Sequence, residues 1–186
     1  MSFDPEILCT AFEGVRRIAA GPLGDVAPQV RAALDARPNA SILILADDDS
    51  RRIDVDLRGT VAEVAARMAP LEKGPGRPKL GVVPREVTLL PRHWEWLAAQ
   101  QGGASVALRR LVEAARKDPR ELARAARDGA YRFMSTLAGN LAGFEEATRA
   151  LYAADRPAFE THIAAWPRDV REHVLTIAEP GFGEAS

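Results

Sequence analysis

The stretch Arg85–Lys117, REVTLLPRHWEWLAAQQGGASVALRRLVEAARK, decides the fold of the middle of the chain. An apolar run before Pro91 predicts a strand over Val82–Leu90, because β-branched and aliphatic residues favour extended backbone. A helix over Arg92–Gln101 follows, and the glycine pair Gly102-Gly103 ends it, since glycine tolerates positive φ. A second helix is then expected over Ser105–Lys117. The pattern therefore predicts a strand-helix-helix segment over residues 82–118.

The second predicted helix carries a regular apolar stripe. Leu108, Leu111, Val112 and Ala115 recur at i, i+3, i+4 and i+7, which is the spacing of one helix face. Ser105 stands just before this stripe and is the expected N-cap, because a serine hydroxyl accepts from a free amide of the first turn. We expect this stripe to belong to the core of the segment.

The flanking regions predict an α+β protein. Residues 1–70 show the order β-β-α-β-β-α, with a turn at Glu13-Gly14, strands at Ser41–Ala46 and Ile53–Leu57, and a capping box at Thr60 and Glu63. Residues 71–81, LEKGPGRPKLG, hold too many glycines and prolines for regular structure and predict a linker. Residues 119–186 predict a separate helical domain.

Charge is distributed unevenly along the chain, although the net charge is only −1. Residues 1–72 hold 8 Lys or Arg against 12 Asp or Glu, residues 73–120 hold 10 against 4, and residues 121–186 hold 7 against 10. A basic middle of +6 between acidic ends indicates that a polyanionic partner would meet the middle. The alternative is a plain helical hairpin with solvated arginines.

Residues 85–117 resemble the ribbon-helix-helix fold of bacterial repressors and antitoxins. That resemblance implies a homodimer whose paired strands enter the DNA major groove while the start of the second helix holds phosphate. Free amides and the positive dipole end at a helix start favour an anion in any case. Glu86 and Leu90 depart from the pattern on the outward face of the strand and weaken base-specific contact more than DNA binding. The same two helices also resemble a helix-turn-helix. The expected DNA contacts are Arg85, Thr88, Ala104, Ser105, Arg109 and Arg110.

The tetrapeptide Gly76-Arg77-Pro78-Lys79 is similar to the core of an AT-hook, a peptide that lies in the narrow minor groove of A·T-rich DNA. Arginine is attracted there by the strong negative potential. Pro75 replaces the second arginine that a full hook has before its glycine. Arg77 and Lys79 are therefore further candidate DNA contacts, and a plain linker is the alternative.

Over its whole length the chain also resembles a bacterial family known only as a domain of unknown function. The resemblance lies in GRPKLGV, VTLLPRHWEWLA, GGASVALRRLVEAAR, YRFMSTLAGNL, GFEEATRALY and WPRDVREHVL. It implies a bacterial, intracellular protein and adds no mechanism.

Several classes of protein are not expected. No window of about eighteen apolar residues predicts a membrane span, and the acidic start MSFDPEILCT is unlike a signal peptide. Cys9 is the single cysteine and scattered histidines offer no metal ligand set, so we expect no metal and no cofactor. The turn Asp47-Asp48-Asp49-Ser50 lacks the spacing of a calcium loop. No GxSxG, GxxxxGK[ST] or GxGxxG motif indicates an enzyme.

The sequence thus favours a cytoplasmic, homodimeric DNA-binding protein of regulatory or nucleoid type. The alternative is a protein-interaction or assembly module that pairs through strand 82–90 and does not bind DNA.

Overall fold

A small antiparallel sheet near the N-terminus, followed by helices, makes this a mixed α+β protein. The computed structural model describes residues 4–69, 83 and 85–183. It divides the chain into unit 1, which comprises Met1–Leu71 and Leu122–Ser186, and unit 2, which comprises Glu72–Glu121.

The sheet has three strands in the order β2-β1-β3. Strand β1 is Leu8–Glu13, β2 is Arg16–Pro22 and β3 is Ile42–Ala46, and both pairings of β1 are antiparallel. Gly14 lies in the tight β1–β2 turn with φ +57°, a conformation that glycine adopts without steric cost. The hairpin predicted at Glu13-Gly14 is therefore confirmed.

Two helices accompany the sheet in the first part of unit 1, α1 (Leu23–Ala36) and α2 (Val61–Met68). The predicted capping box of α2 is confirmed. The Thr60 amide donates to Glu63 Oε2 at 2.7 Å, and the Glu63 amide donates to Thr60 Oγ1 at 3.3 Å. Two otherwise free amides at the helix start are satisfied in this way.

The remaining elements follow in chain order. They are α3 (Pro91–Ala98), α4 (Gly103–Arg116), α5 (Pro119–Leu137), α6 (Phe144–Tyr152), α7 (Arg156–Ile163), α8 (Arg168–Ala178) and a 3-10 turn at Glu179–Phe182. Trp166, between α7 and α8, is buried and its indole Nε1 donates to the Ala142 carbonyl at 2.8 Å. This bond ties the loop before α8 to the loop before α6.

Both faces of the sheet are covered in unit 1. Cys9 and Ala11 of β1 point to one face and pack with residues of α1 such as Val26. Phe12 points to the other face, because successive strand residues alternate, and packs with Phe133 of α5 and with residues of α7 and α8. The sequence predicts that the N-terminal sheet and the C-terminal helices form two domains. In the structure they belong to one unit, and the C-terminal helices pack on one face of the sheet.

Unit 2 has much less core. Its helices α3 and α4 pack against each other, and Leu97 and Ala107 are the buried residues of the pair. The other described residues of the unit are exposed or half-buried.

Two predicted strands are not formed where the structure describes their residues. The first of them is Ile53–Leu57. Just before it, Arg52 forms an isolated antiparallel bridge with Leu45, and the Ile53 amide donates to the Ile44 carbonyl oxygen at 2.9 Å. The segment then leaves the edge of β3. Val83 and residues 85–90 are the described part of the predicted strand 82–90. They form no strand either, since none of the described residues pairs with them in a backbone ladder.

Candidate nucleic-acid interface

The turn between α3 and α4 sets where the second helix of unit 2 begins. Gly102 and Gly103 adopt φ +84° and φ +74°, left-handed values that cost glycine little. The chain therefore enters α4 at Gly103, with Gly102 as N-cap. The prediction that Ser105 is the N-cap is wrong, since Ser105 lies at the third helical position.

The amides of the first turn of α4 are only partly satisfied, since the Gly103 amide donates to the Gln100 carbonyl oxygen at 2.9 Å. No side chain makes a capping hydrogen bond there. Arg109 Nε donates to the Ser105 carbonyl oxygen at 3.1 Å, so this side chain lies back along the helix towards its first turn. Helix starts carry a partial positive charge, and here a guanidinium adds to it. The arrangement favours an anion on this end of α4.

The exposed polar face of α4 is basic. At ~100° per residue, Ser105, Arg109 and Arg116 lie within about 40° of one another around the helix, and all three are exposed. Arg110 is also exposed and lies about 100° from Arg109. Glu113 forms an ion pair with Arg116 at 3.3 Å and offsets part of this charge. We call Ser105, Arg109 and Arg116 the basic face.

The other candidate DNA contacts do not all lie at the start of α4. Ala104 is half-buried in the first turn of α4, beside the predicted phosphate position. Arg85 and Thr88 are exposed in the extended segment before α3. Arg77 and Lys79 lie outside the described residues. The structure therefore brings Ala104, Ser105 and Arg109 together at one helix start, and the AT-hook hypothesis for Arg77 and Lys79 stays a prediction.

The two units also differ in the sign of their net charge. Unit 2, Glu72–Glu121, holds 10 Lys or Arg against 6 Asp or Glu, a net +4. The residues of unit 1 hold 15 against 20, a net −5. On these net charges a polyanion would be attracted to unit 2 rather than to unit 1.

The apolar stripe of α4 was expected in the core, and the structure leaves much of it exposed. Leu111 is 46% exposed and Val112 is 55% exposed, while Trp94 of α3 is 41% exposed. Periodicity shows that these residues share helix faces, but it contains no information on whether another element covers them. Their exposure is the main feature of this site that sequence reasoning missed.

In unit 1 the carboxylates of the Asp47–Ser50 turn accept hydrogen bonds from nearby residues. Thr10 Oγ1 donates to Asp47 Oδ1 at 2.8 Å, and burial raises the pKa of the Asp47 carboxyl. Asp49 instead accepts from the amide of Arg51. In residues 4–69, 83 and 85–183 there is no group of three or more His, Cys, Asp or Glu residues that could hold a metal ion. No helix in the same residues is long and apolar enough to cross a bilayer.

Comparison with known proteins places the chain in a bacterial family. The model of a family described as uncharacterized protein conserved in bacteria (DUF2239) matches residues 8–178, nearly the whole chain. The protein therefore belongs to this family, as its sequence motifs indicate. No curated protein and no solved structure matches the chain significantly.

Proposed function

We propose that this protein binds duplex DNA through unit 2, as a small bacterial regulatory or nucleoid-type protein. The charge difference carries the proposal, because unit 2 has a net charge of +4 whereas the 136 residues of unit 1 have a net charge of −5, which concentrates any attraction for phosphate in unit 2. Neutralising DNA phosphates with Lys and Arg releases counterions, which supplies most of the free energy of non-specific binding.

The basic face of α4 supports contact with the phosphate backbone. A phosphate at the first turn would accept from backbone amides near Ala104 and Ser105, with the helix dipole behind them. Arg109 lies back towards the same turn and Arg110 is exposed nearby. Contacts of this kind position a protein on DNA without reading its sequence.

Residues 85–90, which precede α3, would make the contacts with the bases. Thr88 is exposed there and its hydroxyl suits a base edge in the major groove. Arg85, also exposed, supplies attraction at the start of the segment. In a homodimer two such segments can pair as a ribbon, which gives each the neighbour that the single chain lacks. Arg77 and Lys79 would add minor-groove contacts from the linker.

The test is a fluorescence-anisotropy titration of labelled random duplex across salt concentrations. We expect binding at low salt with log affinity falling linearly with log salt, at a slope of about −0.9 per phosphate neutralised. The double variant Arg109→Ala, Arg110→Ala should reduce the magnitude of that slope by up to ~1.8 and weaken binding to all sequences alike.

The control is Arg149→Ala, matched to Arg116→Ala on the basic face, which should lower the magnitude of the slope by up to ~0.9. Arg149 is an exposed helix arginine of unit 1 that pairs with Glu146, as Arg116 pairs with Glu113 in unit 2. It should leave the slope unchanged. Absence of binding to random duplex at 50 mM salt, or an equal effect of the unit 1 control, would rule out DNA binding through unit 2.

A second candidate is a protein-assembly module without DNA binding. The exposed apolar side chains of unit 2 favour it, since such surface in a soluble unit marks a place of protein contact. The two candidates differ in salt dependence, because association through apolar surface is little weakened by moderate salt whereas binding to DNA is strongly weakened.

A further inference from the structure

Trp96 of α3 is a large aromatic residue that the fold leaves half exposed. It is 52% exposed, whereas Trp166 of unit 1 is buried and donates its indole N–H to the Ala142 carbonyl oxygen. Burying a tryptophan removes ~150–250 Å² of surface from water, so an indole that stays in solvent is a surface that a partner can cover. Trp166 thus stabilises the fold, whereas Trp96 offers its ring to a ligand.

Basic side chains flank Trp96 on α3. At ~100° per residue, Arg92 lies about 40° from Trp96 around the helix axis and His93 lies about 60° from it. Both are exposed. Gln100 Nε2 donates to the Trp96 carbonyl oxygen at 3.2 Å, and the one carboxylate of α3, that of Glu95, belongs to a residue about 100° away from Trp96. We call Arg92, His93 and Trp96 the tryptophan face, which is aromatic and positively charged.

The other tryptophan of α3 has different neighbours. Trp94 is 41% exposed and lies about 60° from Leu97, which is buried. Ala98 is about 40° from Trp94, whereas Arg92 is about 160° from it, on the opposite side of the helix. Trp94 therefore extends the apolar side of α3. Of the two residues, Trp96 is the one that combines an exposed indole with a neighbouring guanidinium.

We propose that the tryptophan face binds single-stranded DNA, with one unpaired base stacked on the indole of Trp96. Stacking on an aromatic side chain suits any base, because every base has a π-face. In a duplex the neighbouring base pairs cover both faces of a base, so the indole can stack only on an unpaired nucleotide.

Charge argues for DNA as the occupant of this face. The Cβ atoms of residues at i and i+4 are ~5–6 Å apart, so Arg92 can reach the phosphate of a nucleotide whose base stacks on Trp96. Unit 2 has a net charge of +4, which favours a polyanion. An apolar protein surface would instead remove Arg92 from water without supplying a counter-charge. The inference rests on the proposed function in taking DNA as the partner of unit 2.

The experiment is an anisotropy titration of a labelled oligothymidylate of ~12 nucleotides with the full-length protein, beside random duplex of the same length. We expect Trp96→Ala to weaken binding of the single strand by about 5- to 100-fold, which is the contribution of one stacked base, and to leave the affinity for duplex unchanged. Trp96→Phe keeps an aromatic ring and should lose less. Circular dichroism checks that each variant keeps its helices.

The matched control is Trp94→Ala, which removes an indole of similar exposure from the other side of α3 and should bind the single strand as wild type does. Tryptophan fluorescence gives a second measurement. Stacking on a base should quench the emission of wild type and of Trp94→Ala. It should not quench Trp96→Ala, which still contains Trp94 and the buried Trp166.

The outcomes separate this inference from the proposed function. An oligothymidylate that does not bind at low salt, or that binds Trp96→Ala as tightly as wild type, overturns the inference even if random duplex still binds. A loss with Trp94→Ala as large as that with Trp96→Ala also overturns it, because the effect then does not belong to the tryptophan face. Binding of the single strand that Trp96→Ala alone weakens supports the inference even if random duplex does not bind.

Discussion

Lowering the pH should destabilise unit 1 through one buried histidine. His173 of α8 is 7% exposed and its ring lies 4.7 Å from that of Phe133 and 5.3 Å from that of Phe12, between ring centroids. Its Nε2 is buried without a hydrogen-bond partner. Burial, and secondarily the charge of Arg17, lower the pKa of the imidazole from 6.5 to about 4.

The sign and size of the effect follow from this pKa. Because the folded-state pKa lies below the unfolded one, the unfolded chain binds the proton more readily. The stabilisation is fully present above pH 6.5 and is lost as the pH falls towards 4. At ~1.4 kcal/mol per pKa unit the loss amounts to about 3 kcal/mol in total, and to about 2 kcal/mol by pH 5.

Urea denaturation of wild type and His173→Phe at pH 7 and pH 5 tests this value. Phenylalanine keeps a ring between Phe12 and Phe133 and removes the titrating group. We expect the free energy of unfolding of wild type to fall by about 2 kcal/mol more between the two pH values than that of the variant. The exposed His93 of unit 2 provides the control, and His93→Phe should keep the wild-type loss. Equal losses in wild type and His173→Phe would refute the reasoning.

Three further outcomes are expected. Thr60→Ala removes the side-chain acceptor of the α2 capping box and should cost ~1 kcal/mol by urea denaturation, whereas Thr60→Ser should cost little. Gly143→Ala should lower the melting temperature, because Gly143 has φ +80° and an added Cβ would lie 2.7 Å from the His162 carbonyl oxygen. Burial, followed by the charge of Asp47, raises the pKa of the Cys9 thiol to about 12. Cys9 should therefore react with iodoacetamide at pH 8 only in urea, and rapid labelling of the native protein would contradict this.

Local signals in the sequence determined several elements correctly. The capping box at Thr60 and Glu63 was visible because both partners lie three residues apart, and the structure forms both of its bonds. The β1–β2 turn at Glu13-Gly14 was equally local. At the start of α4 two local signals compete: Ser105 is a residue type typical of an N-cap, whereas the glycine pair at 102–103 sets where the helix begins. A sequence pattern does not rank such signals, because an N-cap residue contributes only about 0.5–2 kcal/mol.

The sequence by itself determined the α+β class, the hairpin, the positions of most helices, the basic middle and the residues that share each helix face. Only the tertiary structure decided which faces are covered. It placed the C-terminal helices on the second face of the sheet through Phe12, Phe133 and His173. It also left Leu111 and Val112 exposed, because α3 is too short to cover the second half of α4. Periodicity is fixed by neighbours along the chain, whereas burial is fixed by elements that are distant in sequence or belong to another molecule.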